Sequence, residues 1–287
     1  MLELLSENRR RSQGCLEGEA SAVAMEAGWA GAGALLTLFR SDVLIQTKGV
    51  SNFVSEADLA AESAIVEVIR GAFPEHAIIS EESHSDRADA THLWVIDPLD
   101  GTSNYLHGMP HFAVSIGYYR EGVGQVGVIC DPAHGDWYIA ARGQGAWRNG
   151  ESMRVSGATG LSQAMVACGF YYDRGRMMEG TLATLADLFR RDIHGIRRCG
   201  AAALDLAYLA SGWFDSFFEY RLSPWDYAAG SVLLSEAGGT LSDCVGGPLP
   251  LGTPSSVCAS NGTLHAEMLE VIAPHWGALQ QPLEGSR

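Results

Sequence analysis

The chain has 287 residues, 47% of them hydrophobic, which is enough to bury a large core in one domain or two. Its formal net charge of -15 argues against broad affinity for nucleic acid or an anionic membrane, because such partners are usually recognised through a basic patch. The sequence contains neither a long apolar span nor a secretory leader pattern, so we expect a cytoplasmic protein without membrane association.

The first half of the chain predicts helices packed on a sheet. A small-residue helix is expected at residues 21–40, after a disordered segment, and the polar stretch 46–52 is expected to be a mobile loop that carries Lys48. Ser55 resembles a helix N-cap, with Asp58 in the first turn of the helix that follows. Apolar runs then predict an antiparallel sheet with strands at 77–79, 92–96, 112–119, 124–130, 137–141 and 153–155.

The second half changes character after a predicted hairpin turn at Asn149-Gly150. Small and polar residues at 156–160 suggest a junction, so we expect an N-terminal α+β domain at 1–155 and a C-terminal α/β domain at 156–287. The predicted strands of this half lie at 165–168, 214–218, 239–241 and 257–259. The predicted helices lie at 181–190, 201–211, 227–237 and 264–272.

Neither the cysteines nor the histidines form a recognisable metal-binding pattern. The six cysteines lack the paired spacing of a zinc site or a disulfide framework, so we expect reduced thiols. His107, His111 and the other histidines form no HExxH-like group, which favours packing or surface roles over metal binding.

The most informative stretch is Asp97-Pro98-Leu99-Asp100-Gly101, which follows the apolar run 92–96. Pro98 fixes its own φ and donates no hydrogen bond, so the chain turns where the strand ends and both carboxylates can point to one place. An ordinary surface turn is the alternative, because Asp-Pro and Asp-Gly are common turn signals.

Two other acidic positions, Glu81 and Asp226, also follow candidate strands. If they converge with Asp97 and Asp100, each ionised pair at 4 Å would repel by about 4 kcal/mol at an effective dielectric near 20, and the cluster would need cations. Oxygen ligands, with the Leu99 carbonyl as one more, favour Mg²⁺ or Mn²⁺ over zinc. Paired divalent ions suit the hydrolysis of a phosphomonoester.

A helix that begins just after Asp100 would offer the free amides around Gly101 to a phosphate group. The Thr102 hydroxyl could orient the attacking water. Asp58 could accept the proton of that hydroxyl, or it could serve only as part of the helix cap, and the sequence leaves both roles open.

These residues carry a family resemblance. The segments 94–105, 225–230 and 236–239, together with Glu81-Glu82-Ser83, are similar to the signatures of the lithium-sensitive, Mg²⁺-dependent inositol monophosphatases, from about Gly28 onward. The resemblance implies a layered α+β or α/β sandwich of the αβαβα type, a homodimer, and a small phosphorylated substrate.

The resemblance also implies roles for individual residues, with two or three Mg²⁺ ions in each site. Thr102 and Asp58 become the catalytic pair that activates water. The implied metal ligands are Glu81, Asp97, Leu99, Asp100 and Asp226. The implied substrate-binding residues are Leu99, Asp100, Gly101, Thr102, Gly200, Ala201, Ala202, Glu219 and Asp226. The segment 168–174 is similar to one that flanks the pocket in bacterial members.

Substrate identity is less constrained than reaction type. Asn52 and Ala201 stand where many relatives carry Asp and Thr, and Glu219 is either a ring-hydroxyl contact or a surface residue at a strand end. Inositol monophosphate is the expected substrate, with histidinol phosphate and adenosine 3′,5′-bisphosphate as enzymatic alternatives. A metal-binding scaffold without catalysis is the alternative from another class.

Overall fold

In the computed structural model of the chain, residues 1–41, 45–49 and 52–280 are described, and for 45–49, 52–54 and 280 this description covers the backbone alone. The N-terminal part contains helices α1 (Leu2–Ser12) and α2 (Glu19–Leu38). The expectation of disorder before residue 21 is therefore wrong. Helix α1 is held by tertiary contacts, since Leu5 is fully buried and its carbonyl accepts a hydrogen bond from Trp137 Nε1 at 3.0 Å.

A short hairpin precedes the third helix. Strands β1 (Ile45–Gly49) and β2 (Asn52–Ser55) pair antiparallel, so the expected irregular loop at 46–52 is largely strand. The Lys48 side chain, and with it the prediction about its mobility, lies outside the described residues. Helix α3 (Glu56–Ala72) begins at the predicted N-cap, Ser55, whose Oγ accepts a hydrogen bond from the Ala57 amide at 3.2 Å.

The first sheet has seven strands in the order β3-β4-β5-β6-β7-β8-β9, in which β3 and β4 are parallel and every other pair is antiparallel. Asn149 and Gly150 join the last two strands with positive φ angles of 52° and 86°, as the predicted turn requires. The strands and the short helix α4 between them are β3 (Ala77–Ser80), β4 (His92–Asp100), α4 (Thr102–Leu106), β5 (Ala113–Arg120), β6 (Val123–Asp131), β7 (Asp136–Ala141), β8 (Ala146–Arg148) and β9 (Glu151–Met153).

The second sheet has five strands in the order β11-β10-β12-β14-β13. A 3₁₀ turn at Leu161–Gln163 precedes it, and its strand β11 was not predicted from the sequence. The elements of this half are β10 (Met165–Cys168), α5 (Arg176–Arg190), β11 (Gly195–Arg197), α6 (Ala202–Ala210), β12 (Ser216–Leu222), α7 (Pro224–Glu236), β13 (Thr240–Ser242), β14 (Ser255–Ser260) and α8 (His265–Gln280).

The helices and sheets form five alternating layers. Helices α2 and α3 share a core with one face of the first sheet, and α5 and α8 share a core with the outer face of the second. Helices α6 and α7 lie between the sheets, in a core that takes Ile129 and Tyr138 from one sheet and Phe217 and Ala259 from the other. The αβαβα class expected from the family resemblance is confirmed. The domain division at residue 155 stays a prediction.

Close packing of the first helical layer depends on a glycine. A Cβ on Gly31 of α2 would lie 2.7 Å from the Ile65 side chain of α3, closer than real Cβ atoms approach. Within the described ranges, no helix combines the length and hydrophobicity needed to cross a bilayer.

We expect Leu5→Ala to destabilise the protein by about 2–4 kcal/mol, because it opens a cavity where α1 meets the core. Leu2→Ala is the matched control on the same helix; Leu2 is 51% exposed, and its loss should change stability by less than about 0.5 kcal/mol. Urea unfolding of both variants measures the difference. Equal stability of the two would contradict the docking of α1.

Candidate active site

The site begins at the carboxyl end of β4, where a register shift interrupts the pairing with β5 between Asp97 and Asp100. Both side chains are buried, at 1% and 8% exposure. The Leu99 amide donates a hydrogen bond to Asp97 Oδ1 at 3.0 Å, which holds that carboxylate against its own turn. The alternative of a plain surface turn is therefore wrong.

Asp226 approaches from the second half of the chain, in the first turn of α7. Pro224 starts this helix, and the Ser223 amide donates a hydrogen bond to Asp226 Oδ2 at 2.6 Å in a capping box. Asp97, Asp100 and Asp226 each offer one oxygen, and these oxygens lie within 4.8 Å of one another. The structure thus brings together carboxylates that are distant in sequence.

Glu81 enters from the loop after β3. Its amide donates to the Ile96 carbonyl at 3.3 Å, and the residue lines the same cavity as the aspartates. The cavity has a volume of about 260 Å³. The predicted metal ligands, including Leu99, all line it.

The electrostatics of this cluster are unfavourable without a cation. Burial raises the pKa of Asp97 well above its usual range, and the neighbouring charges of Glu81, Asp100 and Asp226 raise it further. Burial likewise raises the pKa of Asp226, with Asp100 and Glu81 adding to the effect. Acidic oxygens crowded in a buried cavity suit hard divalent cations, so the donor set fits the ions implied by the resemblance.

Asp100 has a second set of partners in the other half of the chain. Its two oxygens accept hydrogen bonds from the amides of Ala202 at 3.2 Å and Ala203 at 2.7 Å, in the first turn of α6. Burial raises the pKa of Asp100 to about 7, while these amides act in the opposite direction. The loop Gly200-Ala201 and the start of α6 are thereby held against the end of β4.

The proposed catalytic pair is within hydrogen-bonding distance. Thr102 Oγ1 lies 3.3 Å from Asp58 Oδ1 and 3.1 Å from the Leu99 carbonyl oxygen. Asp58 also takes part in the capping box of α3, since its Oδ2 accepts a hydrogen bond from the Ser55 amide at 2.8 Å. One carboxylate therefore makes both the helix-cap bond and the contact with the Thr102 hydroxyl that the sequence left open.

Gly101 is required at the turn into α4. Its φ is +89°, and a Cβ there would lie 3.0 Å from the His111 carbonyl oxygen and 3.2 Å from the Ala201 Cβ. Helix α4 starts at Thr102, as expected, but it has only five residues. Any anion binding here would therefore depend on local amides rather than on a long helix dipole.

Glu219 lies within β12 and is 8% exposed, so the alternative of a surface residue at a strand end is wrong. Burial raises the pKa of its carboxyl to about 8, although Arg198 lowers it. A Cβ on Gly169 would overlap this carboxylate at 1.7 Å, which shows how closely the side chain crosses the neighbouring backbone. Gly200, Ala201 and Ala202 line the same cavity.

Sequence reasoning missed Arg198 and Asp205, which also line the cavity. The basic pair Arg197-Arg198 in a chain with only 19 basic residues was an available signal for the first. Asp205 gave none, because it sits within an apolar helical stripe. The flanking segment was anticipated, and its residues Tyr171 and Tyr172 lie in the lining.

Glu62 of α3 was also missed, although it anchors the loop that carries Glu81. It accepts hydrogen bonds from the hydroxyls of Ser80 and Ser83 and, at 3.1 Å, from the Glu82 amide. Burial by itself raises the pKa of Glu62, but bonds from Ser80, Ser83 and His84 outweigh burial and lower it. The residue is therefore ionised and acts as a fixed acceptor for the loop.

The layered fold and its buried carboxylate cluster place the chain in a class of metal-dependent phosphatases. The sequence pattern of the Inositol monophosphatase family matches residues 17–276. The chain belongs to the inositol monophosphatase family.

Several characterised proteins are similar to this chain. The Nus factor SuhB of Pseudomonas aeruginosa is 42% identical over 243 residues, which cover 82% of this chain and 89% of that protein. The crystal structure of extragenic suppressor protein suhB from Bartonella henselae has 34% identity and a TM-score of 0.83, covering 89% of this chain and 98% of that one. The inositol monophosphatase from Anabaena has 37% identity and a TM-score of 0.78, covering 93% and 98%.

We expect Glu62→Gln to destabilise the fold by about 2 kcal/mol, because a charged acceptor for several donors is lost. Since the folded-state pKa of Glu62 is lowered, its stabilising effect is present above the unfolded pKa of about 4.3 and is lost as pH falls through the folded pKa. The stability gap between wild type and variant should therefore narrow in acid.

Chemical unfolding at several pH values measures this gap. Glu67→Gln is the control, because Glu67 is exposed on the same helix and should give a difference below about 0.5 kcal/mol at every pH. A gap that is constant or widens in acid would argue against an ionised Glu62.

Proposed function

We propose that the protein is a Mg²⁺-dependent phosphomonoesterase that hydrolyses myo-inositol monophosphate to inositol and phosphate. The observation that carries the proposal is the approach of Asp97, Asp100 and Asp226 oxygens to within 4.8 Å, beside a Thr102 hydroxyl that lies 3.3 Å from Asp58. Family membership supports the reaction class, and the choice of an inositol phosphate as substrate is the more specific part of the proposal.

The ligands of the metal ions would be oxygen atoms from both halves of the chain. Glu81, Asp97 and the Leu99 carbonyl would hold one ion, and Asp97, Asp100 and Asp226 a second, with Glu81 also near a weaker third. When bound, the ions would supply charge neutralisation at the phosphate and an acidified water. Mn²⁺ is the alternative ion for the same donors.

Thr102 and Asp58 would direct proton movement at the attacking water. A threonine hydroxyl has a single proton, so it donates either to Asp58 Oδ1 or to the Leu99 carbonyl. When it donates to Asp58, its oxygen lone pairs face outward and can accept a hydrogen bond from the water. The carboxylate thereby fixes the direction of the hydroxyl. As the Thr102 oxygen takes a proton from the water, its own hydroxyl proton would pass to Asp58 Oδ1, which would be the final acceptor.

The substrate would lie across the two halves of the cavity. Amides near Gly101 and Thr102 would contact the phosphate, and the Gly200–Ala202 backbone with Glu219 would contact the hydroxyls of the ring. A buried carboxyl group that faces a polar cavity is suited to hydrogen bonding with a polyol. The proposal also includes a homodimer, a cytoplasmic location, and a division into domains at 1–155 and 156–287.

Asp97→Asn and Asp226→Asn should fold normally yet lose about a hundredfold or more in turnover, or about 2.7 kcal/mol of transition-state stabilisation. Each substitution keeps the hydrogen-bonding shape but removes a ligand charge. Asp192→Asn is the control, because Asp192 is exposed at a positive φ that asparagine also tolerates.

Phosphate release with saturating Mg²⁺ is to be measured on inositol 1-phosphate, histidinol phosphate and adenosine 3′,5′-bisphosphate in parallel. Near-wild-type turnover in either variant would overturn the metal assignment. Faster hydrolysis of histidinol phosphate or adenosine 3′,5′-bisphosphate would identify that ester, and not inositol phosphate, as the preferred substrate. Folded, Mg²⁺-saturated wild type that hydrolyses none of them would support the metal-binding scaffold without catalysis.

Glu219→Gln should raise KM for inositol 1-phosphate more than KM for a small aryl phosphate, because the carboxyl group is proposed to contact ring hydroxyls rather than phosphate. The ratio of the two KM values, variant against wild type, is the measurement. Glu270→Gln, at an exposed position of α8, provides the matched control. An equal rise for both substrates would argue against recognition of the ring by Glu219.

A further inference from the structure

A second cluster of metal-ligating side chains lies beside the carboxylate cluster and shares no ligand with it. It consists of His111, after α4, Cys199, after β11, and Asp205, in α6. One ring nitrogen, one sulfur and one carboxylate oxygen from these residues lie within 4.8 Å of one another. Asp205 and His111 are buried, at 2% and 9% exposure, and Cys199 is half-buried.

Two buried atoms of this cluster have unused hydrogen-bonding capacity. Within the described part of the chain, His111 Nε2 and Asp205 Oδ1 are enclosed and find no hydrogen-bond partner. A buried carboxylate oxygen and a buried imidazole nitrogen have lost their hydrogen bonds to water. A bound ligand that replaces those bonds would therefore stabilise both atoms. The imidazole is suited to the task, because burial lowers the pKa of His111 and keeps the ring neutral.

The three segments are already held in place by contacts that do not involve the ligand atoms. Asn104 Nδ2 donates hydrogen bonds to the carbonyl oxygens of His111 at 2.9 Å and Cys199 at 3.0 Å. The Asp205 amide donates to the Ala201 carbonyl at 3.0 Å in the first turn of α6. The cluster is thus preorganised by the backbone, as a binding site requires.

We propose that His111, Cys199 and Asp205 form a binding site for a transition-metal ion of the Zn²⁺ type, separate from the Mg²⁺ ligands. Nitrogen, thiolate and carboxylate together are a donor set that zinc prefers and magnesium does not. A thiolate, a carboxylate and a neutral imidazole carry two negative charges, which one divalent ion neutralises. Binding releases to solvent the Cys199 thiol proton, together with any proton on Asp205, because burial raises the pKa of that carboxyl as well.

The site also has an open side. Asp205 lines the main cavity, so a water molecule can complete a four-coordinate arrangement there, and half-buried Cys199 offers a route of entry. The proposal does not depend on the phosphatase function, because the ligands are different and binding is measured without turnover.

The test uses Co²⁺ as a spectroscopic probe of a zinc-type site. The full-length protein is stripped with a chelator, saturated with Mg²⁺ to occupy the carboxylate cluster, and titrated with Co²⁺. We expect a thiolate-to-cobalt charge-transfer band that saturates at one equivalent and disappears on addition of Zn²⁺. Cys199→Ser should abolish the band, while Cys15→Ser, at another half-buried free cysteine, should keep it.

Absence of the band in folded wild type, or its persistence in Cys199→Ser, would overturn the proposal and leave a local hydrogen-bonded or hydrated cluster. If Cys199→Ser does not fold, alkylation of the wild type followed by peptide mass mapping decides the question. Zn²⁺ at ten times its dissociation constant should slow labelling of Cys199 by about tenfold and leave Cys15 unchanged. Equal labelling of Cys199 with and without Zn²⁺ would refute the site.

Discussion

The repulsion between buried carboxylates is the constraint on which the rest of this structure depends. Several acidic side chains share one cavity, and at an effective dielectric near 20 each ionised pair at 4 Å costs about 4 kcal/mol. Backbone amides offset part of this cost: Leu99 donates to Asp97, Ser223 to Asp226, and the start of α6 to Asp100. Divalent cations would neutralise the remaining charge.

The five-layer architecture serves to bring these groups together. One edge of the site comes from the ends of β3 and β4 in the first sheet, and the opposite edge from β12 and from the N-termini of α6 and α7. Because α6 and α7 form the shared core between the sheets, their first turns are fixed relative to both. The site therefore draws on both proposed domains, and neither half of the chain contains all of it.

The sequence was most informative where the signal is local. The cap at Ser55 and the turn at Asn149-Gly150 each depend on neighbouring residues, and each is present in the structure. The strand predicted at 92–96 is also present, but it continues to Asp100, with a register shift after Asp97 in place of the expected end. Helix α1 was missed because its order depends on a contact with Trp137, far along the chain. The order of the layers came from the family resemblance, since no spacing rule places one sheet on another.

Site residues show the same distinction between local and distant causes. Glu62 reads in the sequence as an ordinary helical glutamate, and its function as an anchor exists only once α3 lies beside the loop after β3. Arg198 and Asp205 line the cavity only once the start of α6 lies against the end of β4. For Asp58 the sequence left capping and catalysis open; the structure shows the capping bond and a contact with Thr102 in the same side chain, and the catalytic role stays a proposal.

A carboxylate has two oxygens, and this protein uses them separately. Asp58 Oδ2 completes the cap of α3 while Oδ1 lies 3.3 Å from the Thr102 hydroxyl. Asp226 Oδ2 completes the cap of α7, and the side chain still offers an oxygen to the cluster with Asp97 and Asp100. A capping bond restricts the rotamer of the side chain, and so helps to place its carboxylate at the site. Helix capping is therefore part of how the site is positioned, because the local interaction supplies the orientation that the proposed chemistry requires.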